Sequence, residues 1–158
     1  MFSALINQKF PDRKLYLYDS FESFNQEEYE KEIALGYAPR GFFNGFKNTS
    51  EADVLKIMKY PDKCRIRKGY FPESIKSEDK EEKFVFVSLD VDFEEFTLEG
   101  LRFFYPRLVE GGYIFLHDYH NHCLFGVKRA VERFEAEVGG SLKKVPISDE
   151  GGTLVIVR

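Results

Sequence analysis

Short apolar runs alternate with longer charged or amphipathic stretches along the chain, a pattern that predicts strands separated by helices. The apolar runs predict strands at residues 14–18, 65–67, 84–89, 113–116, 142–147 and 153–157. The intervening stretches predict helices at residues 26–36, about 50–59, 94–108 and 125–138. Thr49 or Ser50 is the expected cap of the second of these helices, and Gly111-Gly112 is expected to end the third. A loop rich in Phe and Gly is predicted from Gly41 to Gly45.

Strands that alternate with helices predict an α/β fold with a doubly wound, Rossmann-like parallel sheet. The nearly continuous apolar run from Phe84 to Leu89 is typical of a central strand that is covered on both faces. The last two strands flank Asp149–Gly152, which predicts an antiparallel hairpin at the C-terminal end. A length of 158 residues predicts a single domain.

Charge and composition narrow the function classes. The net charge of −4 and the scattered basic residues argue against a nucleic-acid partner. The densest basic cluster, Lys63 to Lys68, alternates with apolar residues and resembles the solvent face of a strand. Neither a leader nor an apolar run of membrane length is visible, so no membrane association is expected. The two isolated cysteines indicate reduced thiols and a cytoplasmic location.

Acidic residues follow three of the predicted strands. They are Asp19 before Ser20, the pair Asp90 and Asp92, and Asp118 after His117. In doubly wound sheets ligands bind outside the carboxyl ends of the strands. If the strands at 84–89 and 113–116 are neighbours, their acids converge within reach of one ion, because adjacent strands lie about 4.8 Å apart. Carboxylates favour Mg²⁺ or Ca²⁺, and an added imidazole shifts the preference toward Mn²⁺.

Other interpretations of the same residues stay open at this point. Asp92 with Glu95 also resembles a helix-capping signal. Asp19 can accept hydrogen bonds from ribose hydroxyls or can form an Asx turn. His120 and His122 are favoured as exposed loop residues over zinc ligands, and Cys123 as a packed thiol over a nucleophile.

Several ordered segments resemble the macrocin-type sugar O-methyltransferases. Their metal-loop region is matched by the segments Leu89–Leu101, Phe104–Ile114 and Asp118-Tyr119. The early strand and acidic loop are matched by Leu15–Phe24, a turn by Gly69–Pro72, and the helix after the metal loop by Gly126–Val131. The resemblance runs from about residue 14 to residue 135 and is far more specific than any single motif.

The resemblance implies a class I methyltransferase that transfers a methyl group from S-adenosylmethionine to a hydroxyl of a sugar-like small molecule. By position, Asp90 and Asp118 would ligate Mg²⁺ or Mn²⁺, and Asp92 would be the general base. His117 stands where the family usually has another acid, and we expect it to be a third ligand. Asp19 would bind the ribose of the cofactor, with Ser20, Gly69 and Tyr70 beside it.

The resemblance also implies a difference at the front of the chain. The family begins with a central strand and a Gly-rich cofactor loop, which residues 1–20 do not match. We therefore expect a partial methyltransferase domain that is truncated, rearranged or completed by homo-oligomerisation, since open sheet edges invite association. Weak cofactor affinity is expected as well. The alternatives are a non-catalytic domain that acts by protein association and a glycosyltransferase that uses Asp90 and Asp92.

Overall fold

The structure, a computed structural model, describes residues 2–41 and 49–158. The described residues divide into two compact units, one of residues 2–24 and 49–76 and one of residues 25–41 and 77–158. Beyond Gly41, the loop predicted up to Gly45 lies outside the described residues. The single-domain organisation stays a prediction.

The described residues form five α-helices and six strands. The helices are α1 (Phe2–Lys9), α2 (Gln26–Ala34), α3 (Glu51–Ile57), α4 (Glu94–Phe104) and α5 (Phe125–Val138). The strands are β1 (Leu15–Asp19), β2 (Cys64–Lys68), β3 (Phe84–Leu89), β4 (Leu108–Leu116), β5 (Lys143–Pro146) and β6 (Leu154–Val157). Across this part of the chain, none of the helices combines the length and apolar character that a membrane span needs.

The first unit holds β1 and β2 as a parallel pair. Their register runs from Leu15 opposite Cys64 to Asp19 opposite Lys68. The predicted cap of α3 is confirmed at Ser50, whose Oγ accepts a hydrogen bond of 3.2 Å from the Asp53 amide.

The second unit holds a mixed sheet of four strands in the order β3-β4-β6-β5. The β3 and β4 strands are parallel neighbours, whereas β6 runs antiparallel to both β4 and β5. This arrangement confirms the α/β class and the C-terminal hairpin. It also meets the condition on which the convergence of the acids depended, that the strands at 84–89 and 113–116 are neighbours.

Two helices and one sheet face form the core of this unit. The helices α4 and α5 pack against each other, and Leu98, Leu101 and Val131 on them are fully buried. On the sheet, alternate side chains are buried, as a strand period of two requires; they are Val87, Leu89, Ile114, Leu116, Leu154 and Ile156. The α4 helix lies close to β3, because a Cβ on Gly100 would come within 2.7 Å of the Leu89 side chain.

The predicted end of the third helix was wrong. The α4 helix ends at Phe104, a short 3₁₀ turn covers Tyr105–Arg107, and β4 begins at Leu108. Pro106 has no amide hydrogen to continue the helical ladder. Gly111 and Gly112 instead lie inside β4, at an irregularity between the Phe84–Leu108 and Phe86–Tyr113 pairs. Only glycine fits at 112, where a Cβ would lie 2.9 Å from the Val109 carbonyl oxygen.

Candidate metal centre

The centre forms where β3 and β4 end side by side. Leu89 pairs with Leu116 in the parallel register, and the His117 amide donates to the Leu89 carbonyl oxygen at 3.0 Å. Each strand is followed directly by a loop of the candidate centre. Asp90 follows β3, and His117-Asp118 follows β4. The common register therefore fixes which side chains meet.

Three of the predicted residues come together. One ligand atom from each of Asp90, His117 and Asp118 lies within 4.8 Å of the other two. His117 Nδ1 is 2.9 Å from Asp118 Oδ2 and 3.3 Å from Asp90 Oδ1. Their side chains are differently exposed, since that of Asp118 is 8% exposed whereas those of His117 and Asp90 are 43% and 57% exposed. The cluster therefore combines one buried carboxylate, which we call the anchor, with two possible metal-binding side chains that are more accessible to solvent.

The loop backbones are held in an uncommon conformation. Asp92 and Asp118 both have positive φ angles, of 63° and 59°. Aspartate adopts this region more readily than most residues, but each such residue costs on the order of 1 kcal/mol. At Asp118 the conformation is supported by hydrogen bonds, because its amide donates to the Gly151 carbonyl and its Oδ1 accepts from Asn121 Nδ2 at 2.7 Å.

The pKa values of Asp90 and Asp92 are both raised. For Asp90, desolvation is the main cause even though more than half of its side chain is exposed; His117 opposes it and Asp118 adds to it. For Asp92, desolvation followed by the charges of Asp90 and Asp118 raises the pKa to about 7. Closely spaced carboxylates are expected to behave in this way when no cation neutralises them.

The pKa of His117 is also raised. Burial alone would lower it, but the hydrogen bond to Asp118 and the charges of Asp90, Asp118 and Asp149 outweigh that effect. A cation in the cluster would have to replace the proton on Nδ1, because a metal-bound imidazole is neutral. The donor set of two carboxylates and one imidazole fits a small divalent cation, with Mn²⁺ better matched to the nitrogen than Mg²⁺.

Sequence reasoning missed the C-terminal turn as part of this centre. A Cβ on Gly151 would lie 2.0 Å from His117 Nε2, so the backbone there is in direct contact with the imidazole. The turn is tied by Asp149, whose carboxylate accepts from the amide and the hydroxyl of Thr153 at 2.8 and 2.7 Å. Asn121 was missed too. The paired glycines at 151 and 152 were visible in the sequence, but they indicated only a hairpin.

The predicted cofactor residues lie in the first unit. Asp19 ends β1, and its carbonyl oxygen accepts from the Gly69 amide at 3.0 Å. Its Oδ1 accepts from the Phe21 amide at 2.8 Å, which is the Asx turn that the sequence left open. The Ser20 hydroxyl bonds within the same loop, to Glu22. The Tyr70 hydroxyl donates to the Ser23 carbonyl at 2.9 Å. The role of these residues in cofactor binding stays a prediction.

The remaining candidates do not join the cluster in the part of the chain that the structure describes. His120 and His122 are exposed, and the His120 ring meets the edge of Tyr119 with centroids 4.7 Å apart. Cys123 is partly buried, and its amide donates to Asn121 Oδ1 at 2.8 Å.

Fold and site together define an α/β protein with an acidic cluster at the carboxyl ends of neighbouring parallel strands. The family model of the macrocin O-methyltransferases (TylF) matches residues 1–147, and the chain belongs to this family.

Solved structures of similar fold agree with this assignment. The O-methyltransferase NovP is 19% identical with a TM-score of 0.75, and the alignment covers 99% of this chain and 66% of NovP. The calicheamicin methyltransferase CalS11 is 14% identical with a TM-score of 0.74, covering 99% of this chain and 65% of CalS11. The chain thus spans about two thirds of the length of either. A comparison with curated proteins finds no match.

Proposed function

We propose that this chain carries the metal and acceptor machinery of an O-methyltransferase that methylates a hydroxyl of a sugar-like small molecule. The observation that carries the proposal is the convergence of Asp90, His117 and Asp118 within 4.8 Å, in a chain of the macrocin O-methyltransferase family. An apo structure of CalS11 is described as that of a TDP-rhamnose 3′-O-methyltransferase. We therefore favour a nucleotide-linked deoxysugar as the acceptor class.

Asp90, His117 and Asp118 would hold the cation, Mg²⁺ or Mn²⁺. When bound, the cation would act as a Lewis acid toward an acceptor hydroxyl and make that hydroxyl more acidic. The buried carboxylate of Asp118, fixed by Asn121, would anchor the site. The imidazole of His117 contacts Gly151 and would lie on the more exposed side of the site.

Asp92 would be the general base. A base works best when its pKa lies near the working pH. Burial is the largest cause of the raised pKa of Asp92, and unlike the charges of Asp90 and Asp118 it would not be neutralised by a bound cation. Its left-handed backbone turns the chain between the ligand Asp90 and the start of α4. Asp92 would take the hydroxyl proton as the acceptor oxygen forms its bond to the methyl carbon and the carbon–sulfur bond of the donor breaks.

The methyl donor, S-adenosylmethionine, would supply an activated methyl group on a sulfonium. Asp19 is an exposed carboxylate at the carboxyl end of a parallel strand, which suits hydroxyl groups of a ribose. Its neighbour Gly69 has a φ of 130°, a conformation that favours glycine. Holding donor and acceptor in line would account for much of the rate acceleration. The predicted lack of the first central strand and the Gly-rich loop, and the weak cofactor affinity that would follow, stay predictions.

Methyl transfer from labelled S-adenosylmethionine to a panel of TDP-deoxysugars tests the proposal directly. We expect transfer that EDTA abolishes and Mg²⁺ or Mn²⁺ restores, and that falls by at least about 10²-fold in Asp92→Asn. Transfer that survives EDTA would contradict the metal role. If no transfer occurs, thermal shifts separate the alternatives: stabilisation by donor and cation supports the family chemistry, whereas no shift with either favours a domain that acts by association. A shift with a nucleotide sugar and not with the donor would favour a glycosyltransferase.

A further inference from the structure

Glu32, near the C-terminal end of α2, is a buried carboxylate within the second unit. It is 3% exposed. Its Oε1 accepts a hydrogen bond of 2.7 Å from the amide of Glu94, whereas Oε2 has no hydrogen-bond partner among the described residues. Burying a carboxylate with an unsatisfied oxygen is costly, so a residue of this kind calls for an explanation beyond packing.

The carboxylate lies at the starts of two helices. Glu94 is the first residue of α4, and the capping residue before it, Phe93, offers no side-chain hydrogen bond. At α5 the capping residue Leu124 offers none either. A Cβ on Gly126 would lie 2.5 Å from Glu32 Oε2, so the carboxylate touches the first turn of α5 as well. Helix starts carry free amides, and a carboxyl oxygen can accept a hydrogen bond from them whether the group is ionised or protonated.

Residues on either side of Glu32 also contact the starts of α4 and α5. The Phe125 amide donates to the Tyr37 carbonyl at 3.1 Å, so this segment also caps the backbone of α5. The rings of Tyr29 and Phe93 stack with centroids 6.0 Å apart. Glu32 is thus the polar centre of a contact that joins α2 to the starts of α4 and α5.

These two helix starts directly follow the two loops of the candidate centre. Only Val91 to Phe93 separate Asp90 from α4, and six residues separate Asp118 from α5. We propose that Glu32 is a positioning residue, whose carboxylate fixes the starts of α4 and α5 relative to each other and thereby sets the spacing of the Asp90 and His117-Asp118 loops. The link to metal ligands rests on the proposed function; the fixing of the two helix starts does not.

Two substitutions at Glu32 separate positioning from stability. Glu32→Leu removes both acceptor oxygens, fills the space with apolar atoms and leaves the Glu94 amide without its acceptor. Glu32→Gln keeps an acceptor for the Glu94 amide. Glu30→Leu is the matched control, because Glu30 lies on the exposed face of the same helix.

Hydrogen exchange over residues 89–96 and 117–127 is the first readout, and Mn²⁺ affinity by calorimetry is the second. In Glu32→Leu we expect at least tenfold faster exchange in both segments and roughly tenfold weaker Mn²⁺ binding, a size typical of residues that orient ligands. Glu32→Gln should stay within threefold of the wild type, as should Glu30→Leu. Unchanged exchange in both segments, equal acceleration across the whole chain, or a Gln variant as impaired as Leu would overturn the proposal. If the wild type binds no Mn²⁺, the metal centre fails while the exchange data still decide the role of Glu32.

Discussion

His117 Nδ1 lies 2.9 Å from Oδ2 of Asp118, the next residue in the chain. Neighbouring side chains rarely converge on one point unless the backbone between them turns, and Asp118 has a φ of 59° that provides this turn. The same imidazole nitrogen is 3.3 Å from Asp90 at the end of the adjacent strand. One nitrogen therefore faces two carboxylates, an arrangement that a proton or a metal cation can bridge.

Replacing the imidazole by a carboxylate should change the metal preference. His117→Asp adds a negative charge, so we expect Mg²⁺ affinity to rise by roughly tenfold and the preference for Mn²⁺ over Mg²⁺ to fall. Calorimetric titration with each cation measures both effects. His122→Asp is the control, since it adds the same charge in an exposed part of the loop. Equal gains in the two variants would mean that the charge acts at long range and that His117 is not a ligand.

Gly151 should be irreplaceable at the centre. In Gly151→Ala the new methyl group would overlap the His117 ring, at 2.0 Å from Nε2, so the imidazole must move. We expect loss of Mn²⁺ binding with little change in stability, because the imidazole is the exposed end of a side chain that can move aside. Gly140→Ala is the control, because a Cβ there meets nothing within 4 Å. Thermal denaturation and calorimetry of both variants test this, and an Ala variant that binds Mn²⁺ like the wild type would refute the contact.

Asn121 should hold the anchor carboxylate. It donates to Asp118 Oδ1 at 2.7 Å and accepts from the Cys123 amide at 2.8 Å. Asn121→Ala removes both bonds, so we expect about 1 kcal/mol lower stability and Mn²⁺ binding that is weaker by roughly tenfold. Asn121→Asp keeps the acceptor for Cys123 but places a like charge against Asp118. If Asn121→Ala binds Mn²⁺ normally, Asp118 does not depend on this support.

Glu32 should make stability depend on pH. Burial, followed by the nearby charges of Glu94, Glu28 and Glu95 and opposed by the Glu94 amide, raises its pKa from 4.5 to about 7. The folded chain then holds a proton that the unfolded chain has lost between these two values. The contribution of Glu32 to stability is therefore fully present below pH 4.5 and is lost as the pH rises to about 7, a change on the order of 3 kcal/mol.

The Gln variant isolates this effect from the other titrating groups. Denaturant unfolding of the wild type and of Glu32→Gln, measured from pH 4.5 to pH 8, gives the difference in unfolding free energy at each pH. As the pH rises from 4.5 to about 7, we expect the wild type to lose stability relative to Glu32→Gln. A difference that stays constant would show that Glu32 is already ionised in the folded chain at pH 5.

The fold was predictable where the local sequence determines it. The run from Phe84 to Leu89 is β-branched and aromatic with no polar break before Ser88, and it is a strand between the predicted bounds. The α5 helix likewise begins and ends at the predicted residues, because its apolar stripe stops at Gly139, which adopts a left-handed φ of 72°. The end of α4 was mispredicted, because the pair of glycines outweighed Pro106 in the pattern.

Of the candidate site, only the residues that directly follow their strands were predictable from the sequence. Asp90, His117 and Asp118 follow their strands directly, and one rule about strand ends sufficed to bring them together. Gly151 and Glu32 touch the centre or its helices from distant parts of the chain, and nothing in their local sequence shows this. Glu32 lies in a charge-rich stretch that predicted a helix but gave no sign of a buried carboxylate.

The most direct test is to compare Mn²⁺ binding by the wild-type chain with binding by variants that lack one of the proposed ligand side chains. Calorimetry, supported by electron paramagnetic resonance, should show one site per wild-type chain. Binding should weaken by at least about tenfold in Asp90→Asn and Asp118→Asn, with both variants still folded by circular dichroism. Absence of Mn²⁺ binding by the wild type, or undiminished binding by the two variants, would contradict a metal centre at Asp90, His117 and Asp118.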